Sequence, residues 1–239
     1  MAITPTVVGS GQTTTDNSEF ISSVSFSPTA NVAQTLFVAN QSTGATASTL
    51  SVSGLGLTWS ELVTHVSGTG FVRMSAFRAV GTPIPGTITM TFDAPQQALL
   101  YRLVEWSGAS IAGSNASSAV VQITSTANSF GVGSSIMSLS MSAKQNSSHV
   151  QVVAFAARNS TQVALDGAWT RVGTDAGVGS PPFHWGLAWT SAEDLTISST
   201  HVGANIEQVG IMLEIGNDAN VAPGAFRRRT SFSLMGVGR

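Results

Sequence analysis

The sequence predicts an all-β protein, a two-layer antiparallel β-sandwich of jelly-roll or lectin-like type, and three observations predict it. Apolar and hydroxyl residues alternate with period two in segment after segment, the signature of a half-buried strand. Charged residues make up 9% of the 239-residue chain, against about a quarter in an ordinary soluble protein. Finally, the two halves of the chain repeat the same succession of segments, as a duplicated fold would. Ser and Thr replace the missing charge and supply roughly a quarter of the residues; they tolerate β geometry and keep an outward face wet. Long helices are excluded, because they are built from Ala, Glu, Lys, Leu and Arg and Lys144 is the single lysine. With 42% hydrophobic residues and a net charge of −2, charge-driven disorder is excluded. The absence of Cys excludes disulfide scaffolds and thiolate metal sites.

Taken in chain order, residues 1–17 are rich in Thr and Gly without periodicity and read as an N-terminal arm. The start Met1–Thr6 has no basic or apolar run of signal-peptide type, and no stretch approaches the length of a membrane span. Residues 18–216 read as the sandwich, with pseudo-repeats at about 18–108 and 134–216. Alternating strands are Ser23–Ser27, Thr87–Phe92, Ser138–Ser142 and Leu195–Ser198. Continuous apolar runs at Ala33–Ala39, Val150–Ala157 and Val209–Ile215 suit strands covered on both faces. Turn clusters separate about 12 to 14 such segments. In the repeat, Trp59 falls on Trp169 (offset 110), Glu105 on Glu214 (offset 109), and Val24 and Phe26 on Leu139 and Met141 (offset 115). The segment between the halves carries its own strand-like piece, Ala119–Thr124, and lacks the composition of a flexible linker. One sandwich with pseudo-symmetric halves is therefore favoured over two separate beads. Residues 217–239 read as a C-terminal arm. Four of the ten basic residues, Arg227, Arg228, Arg229 and Arg239, lie in its last thirteen positions, which carry about +4 against about −6 for the rest of the chain. The same arm contains Phe232 and Leu234 on one face of an alternating piece, suited to adding a strand to a partner's sheet edge.

Chemistry is sparse. Gly-x-Ser-x-Gly does not occur, and the four His residues (His65, His149, His184, His201) lack metal-ligand spacing, so they read as surface or edge residues. No catalytic residue, metal or cofactor is expected. The glycine-rich stretches Gly9–Thr14 and Gly131–Ser134 lack a phosphate-loop Lys and read as turns. Asn217–Asn220 offers the only oxygen cluster for calcium and is equally explained by a turn. Glu105 and Glu214, being repeat-equivalent, would make a glycosidase pair only if they faced each other across a cleft. Trp185 and Trp189 sit four residues apart on one strand face beside His184; if exposed, the three make a sugar-stacking platform, whereas Trp59 and Trp169 read as core anchors.

Leu57-Thr58-Trp59, the strand Val72–Ala79, the Thr-alternating strand Thr87–Phe92 and Leu103-Val104-Glu105-Trp106-Ser107-Gly108 together resemble the lectin-like β-sandwich structural proteins of tailed bacteriophages. The resemblance covers about residues 18–216, and the Arg-rich close ending in Arg239 is similar to the last segment of such proteins. It implies a non-enzymatic virion surface component, present in many copies: a head decoration or fibre protein, or a tail accessory protein in contact with host glycans. The partners would be capsid or tail proteins docked through Arg227, Arg228, Arg229, Phe232 and Leu234. Assembly in the host cytoplasm fits the want of a signal peptide. No membrane or nucleic-acid role is implied, since the body has no basic stripe. Two rival readings stand beside it: a carbohydrate-binding module using Trp185, Trp189 and His184, and a glycan-degrading enzyme using Glu105 and Glu214.

Overall fold

The computed structural model describes residues 1–14, 17–21, 24–42, 47, 50–128, 136–160, 163–165, 169–179, 181–201 and 206–217. Among them the chain is all-β, with seventeen strands and one short 3₁₀ segment at Ser114–Ala119. The strands form antiparallel sheets, none closed into a barrel. The first sheet runs β1 (Thr4–Thr13), β8 (Ala98–Ser107), β3 (Ala33–Gln41), β6 (Val72–Ala79), β5 (Ser60–Val66). Over it lies a smaller sheet, β2 (Asn17–Ile21), β7 (Ile88–Gln96), β4 (Leu50–Gly54). The third runs β13 (Thr170–Arg171), β15 (Phe183–Thr190), β11 (Val150–Arg158), β17 (Glu207–Ile215), β9 (Val120–Asn128), with β14 (Ala176–Val178) also on β15. The fourth is β10 (Ile136–Ser140), β16 (Thr196–His201), β12 (Val163–Leu165). Four sheets stand where a single two-layer sandwich has two.

Three apolar clusters explain the distribution. Leu36, Val38, Phe77 and Leu103 of the first sheet meet Ile88, Met90 and Phe92 of the second. Val153, Phe155 and Met212 of the third meet Met137, Leu139 and Ile197 of the fourth. The largest cluster joins the first and third sheets, with Phe37, Met74, Leu100 and Trp106 against Val152, Leu187, Ile211 and Leu213. Strands β3, β8, β11 and β17 are thus covered on both sides, and their successive side chains point alternately into two different apolar layers. That is why these runs carry almost no polar alternation, whereas the outer strands β7, β10 and β16 keep it. Each fully buried aliphatic or Phe side chain contributes about 1.5–3 kcal/mol, so the middle layer is a large share of what holds the chain together. Five of its members are alanines, Ala39, Ala76, Ala98, Ala154 and Ala156, which let the sheets approach closely.

Two expectations are corrected by strand pairing. The reading of residues 1–17 as an arm fails over Thr4–Thr13, where β1 pairs with β8 from Thr4↔Ser107 to Thr13↔Leu99. The glycines that hid this strand are not turns: Gly9 and Gly11 leave their Cβ space to the rings of Phe26 and Tyr101, which meet edge to face at 6.3 Å. Lacking side chains there, β1 shows no period. The strand expected at Ser23–Ser27 reduces, among the described residues, to a single bridge, Phe26↔Gly86; Phe26 is nonetheless a core residue. The C-terminal residues Arg227, Arg228, Arg229, Phe232 and Leu234 lie outside the described residues, as does Gly131–Ser134.

Gly210 in β17 gives a direct test of the layer between the third and fourth sheets. A Cβ there would sit 2.6 Å from Leu139 Cδ1 and 2.8 Å from the Phe155 ring. Gly210→Ala is therefore expected to destabilise by about 1–3 kcal/mol through overpacking, read as a lower denaturant midpoint at unchanged slope.

Candidate functional site

The sugar-platform residues are not a platform. Trp185 is 1% exposed and lies in the layer between the first and third sheets. The Arg102 guanidinium covers its face, 5.2 Å from the ring centroid, and donates to the carbonyls of Val172 and Thr174. Trp189 packs half-buried against the same layer. Strand alternation puts His184 on the opposite face of β15. There burial lowers its pKa and the Asp175 charge raises it. Asp175 in turn pairs with Arg171 at 3.2 Å. Sequence spacing had placed the two Trp on one face correctly, but that face points inward. Trp59 and Trp169 precede β5 and β13 and pack on the first and third sheets' outer layers, with Trp169 Nε1 donating to Asp194 at 2.8 Å.

The carboxylates Glu105 and Glu214 do not form a facing pair. Glu105 is 7% and Glu214 0% exposed, and each is occupied by the loop that leads into the central strand of its own sheet. Glu105 accepts from the Thr29 backbone N–H and from Thr29 Oγ1, just before β3. Glu214 accepts from the Gln145 backbone N–H at 2.8 Å, from Gln122 Nε2 at 2.6 Å and from His149 Nδ1 at 2.6 Å, just before β11. Buried carboxylates need this satisfaction of their lone pairs, and the donors hold the loops in place.

His149 and His201 correct the expectation that the histidines lie at the surface: they are 6% and 1% exposed. His201 bonds only Ser199 Oγ, at 2.8 Å, with Phe155 edge-on, and burial pushes its pKa down from 6.5 to about 4. Between those values the unfolded chain binds a proton that the folded chain refuses. Stability therefore falls as pH drops from 6.5 toward 4, by about 3 kcal/mol for this group. His184 contributes with the same sign, while Glu207, whose pKa burial raises, contributes with the opposite one. Urea unfolding of the parent chain and of His201→Asn isolates the effect: the parent should lose stability relative to the variant as the solution is acidified across that window.

A concave polar site lies beside His149. A cavity of about 270 Å³ is lined by Ser118, Gln145, Asn146, His149, Gly216 and Asn217. Three elements shape it. Lys144 pins the loop before β11 by donating to the carbonyls of His149 (2.9 Å) and Ser191 (2.6 Å). The 3₁₀ segment supplies Ser118 and is anchored by Asn115, whose amide bonds Thr58 O, Ser60 Oγ and the Val80 N–H. Gly216 closes the end of β17, donating to Ala119 O and accepting from Ser110 N. A Cβ at Gly216 would lie 3.3 Å from His149 Nε2, so the glycine leaves that nitrogen room. The Glu214 carboxylate faces Nδ1 of His149, which leaves Nε2 of the ring on the Gly216 side of the cavity. Sequence reading missed this site. Its signal was the register of two apolar runs: pairing Val150 with Ile215 brings His149 alongside Glu214 and Gly216, and a pairwise alignment of runs, not a motif, would have revealed it. No group of three or more His, Asp or Glu side chains suited to a metal occurs among the described residues.

No protein-family model, curated protein or solved structure matches this chain.

Proposed function

We propose that this protein is a non-enzymatic structural component of a tailed bacteriophage particle, a surface-exposed head decoration, fibre or tail accessory protein built from two duplicated β-sandwich units. The strand order supports the duplicated build in this reading. The path β1-β8-β3-β6-β5 with β2-β7-β4 is matched, strand for strand, by β9-β17-β11-β15-β13 with β10-β16-β12. In that match Trp59 and Trp169 precede equivalent strands, and Glu105 and Glu214 hold equivalent loops, as the sequence offsets require. We read the halves as two such units, each a larger sheet with a three-stranded sheet over it, meeting through contacts of β5 with β9, β1 with β14, β6 with β17 and β3 with β11.

The outward faces suit a particle surface. Ser51, Ser53 and Thr91 on one small sheet, and Ser138, Ser140 and Thr196 on the other, are exposed and uncharged. Ser138 bonds Ser198 at 2.7 Å and Ser140 bonds Thr196 at 3.2 Å, so the hydroxyls are ordered without ion pairs. Docking is assigned to the basic C-terminal residues Arg227, Arg228, Arg229, Phe232 and Leu234, in many copies whose weak contacts add by avidity. The test is deletion of residues 218–239 in a phage that depends on the cloned copy. The deleted protein should keep its strand content and melting temperature but be absent from purified particles; undiminished incorporation would overturn the docking assignment.

A further inference from the structure

We propose that the cavity beside His149 is a binding site for a small neutral polyhydroxy ligand, a monosaccharide or the terminal sugar of a glycan. It adds a ligand site to the surface protein inferred above and rests on that reading only for its setting. The argument starts from unused hydrogen-bonding groups. Among the described residues, His149 Nε2, Ser118 Oγ, Gln145 Oε1 and Asn146 Nδ2 have no protein partner, and their residues line the same cavity. They comprise an amide acceptor, an amide donor, a hydroxyl that does both and a ring nitrogen, and polar groups gathered in a concavity are what orients a bound ligand.

Charge decides the ligand class. No Lys or Arg lines the cavity, and the carboxylate of Glu214 stands directly behind the imidazole, so a phosphate or carboxylate would meet no counter-charge. No acidic side chain lines it either, which removes a cation. No aromatic ring other than the imidazole is present, so a planar base has nothing to stack on. What remains complementary is a hydroxyl-rich neutral molecule, with one hydroxyl donating to His149 Nε2. Glu214 acts through His149 as a positioning residue: its three donors fix the carboxylate, and the carboxylate fixes the tautomer and aim of the ring. At about 270 Å³ the cavity lies just below the range of drug-sized pockets, roughly 300–1,000 Å³, so one sugar ring is its measure. Affinity for a single hexose should be on the order of 1 mM.

The full-length protein, labelled with ¹³C and ¹⁵N, is titrated with D-glucose, D-galactose, D-mannose and L-rhamnose, each to roughly 100 mM. The His149 Cε1–H resonance is followed beside those of His65, His184 and His201. The expected result is a saturable shift confined to His149 with at least one sugar. Ser118→Leu, half-buried in the cavity lining and not hydrogen-bonded to His149 or Glu214, fills the cavity and should abolish the shift while the His149 nitrogen resonances still report a protonated Nδ1. His149→Gln should weaken the response of Gln145 and Asn146 side-chain amides by tenfold or more. No saturable shift with any of the four sugars, or a shift that survives Ser118→Leu unchanged, overturns the proposal. Because binding is read on the isolated protein, a negative result leaves the particle assignment standing, and failed particle incorporation leaves this site standing.

Discussion

Trp185→Ala is expected to destabilise the folded protein by about 3–5 kcal/mol, the usual cost of emptying a large aromatic site in a packed interior. The indole is 1% exposed and lies in the layer that the first and third sheets share. Its loss also removes the surface over which the Arg102 guanidinium lies. Arg102 is 2% exposed and has no carboxylate hydrogen-bonded to it; its charge is met by the carbonyls of Val172 and Thr174 and by the indole face. Burial already lowers its pKa, with the Asp175 charge opposing, so the ring is one of few compensations available to a desolvated cation. Denaturant unfolding checks this. A loss under about 1 kcal/mol, as for a surface residue, would place Trp185 outside the interior and restore the sugar-platform reading. Trp189→Ala should cost less, since that ring is only half-buried.

Glu214→Ala should cost a similar amount, about 3–5 kcal/mol. Three donors lose their acceptor together: the Gln145 N–H, Gln122 Nε2 and His149 Nδ1. Each buried group left unpaired costs about 1–3 kcal/mol, partly recovered where water enters the neighbouring cavity. Glu105→Ala should cost less, because only Thr29 supplies donors there. Thermal unfolding of the two variants, side by side, measures the difference. Equal small losses would mean that neither carboxylate holds its loop, and the structural account of the pair would have to be given up.

The strands that were legible from sequence are those whose environment is simple. Thr87–Phe92 and Leu195–Ser198 alternate because one face is wet, and they fall on β7 and β16. Ala33–Ala39, Val150–Ala157 and Val209–Ile215 are apolar throughout because both faces are covered, and they fall on β3, β11 and β17. What escaped was whatever depends on which layer a face meets. Glu105 and Glu214 read as a pair that would act only across a cleft, yet both are interior, because a loop folds back to satisfy each. Gly9 and Gly11 looked like turn residues, yet they are strand residues beneath aromatic rings. His149 carried no motif at all, since its partner lies 65 residues away and is found only through strand register.

The central claim is that the two sheet pairs form one body, joined through the apolar layer that Phe37, Leu100 and Trp106 share with Val152, Ile211 and Leu213. Differential scanning calorimetry of the full chain tests it most directly. The account predicts one transition whose calorimetric and van't Hoff enthalpies agree, shifted as a whole to lower temperature by Phe37→Ala. Two separable transitions, with Phe37→Ala moving only the one belonging to its own half, would contradict it.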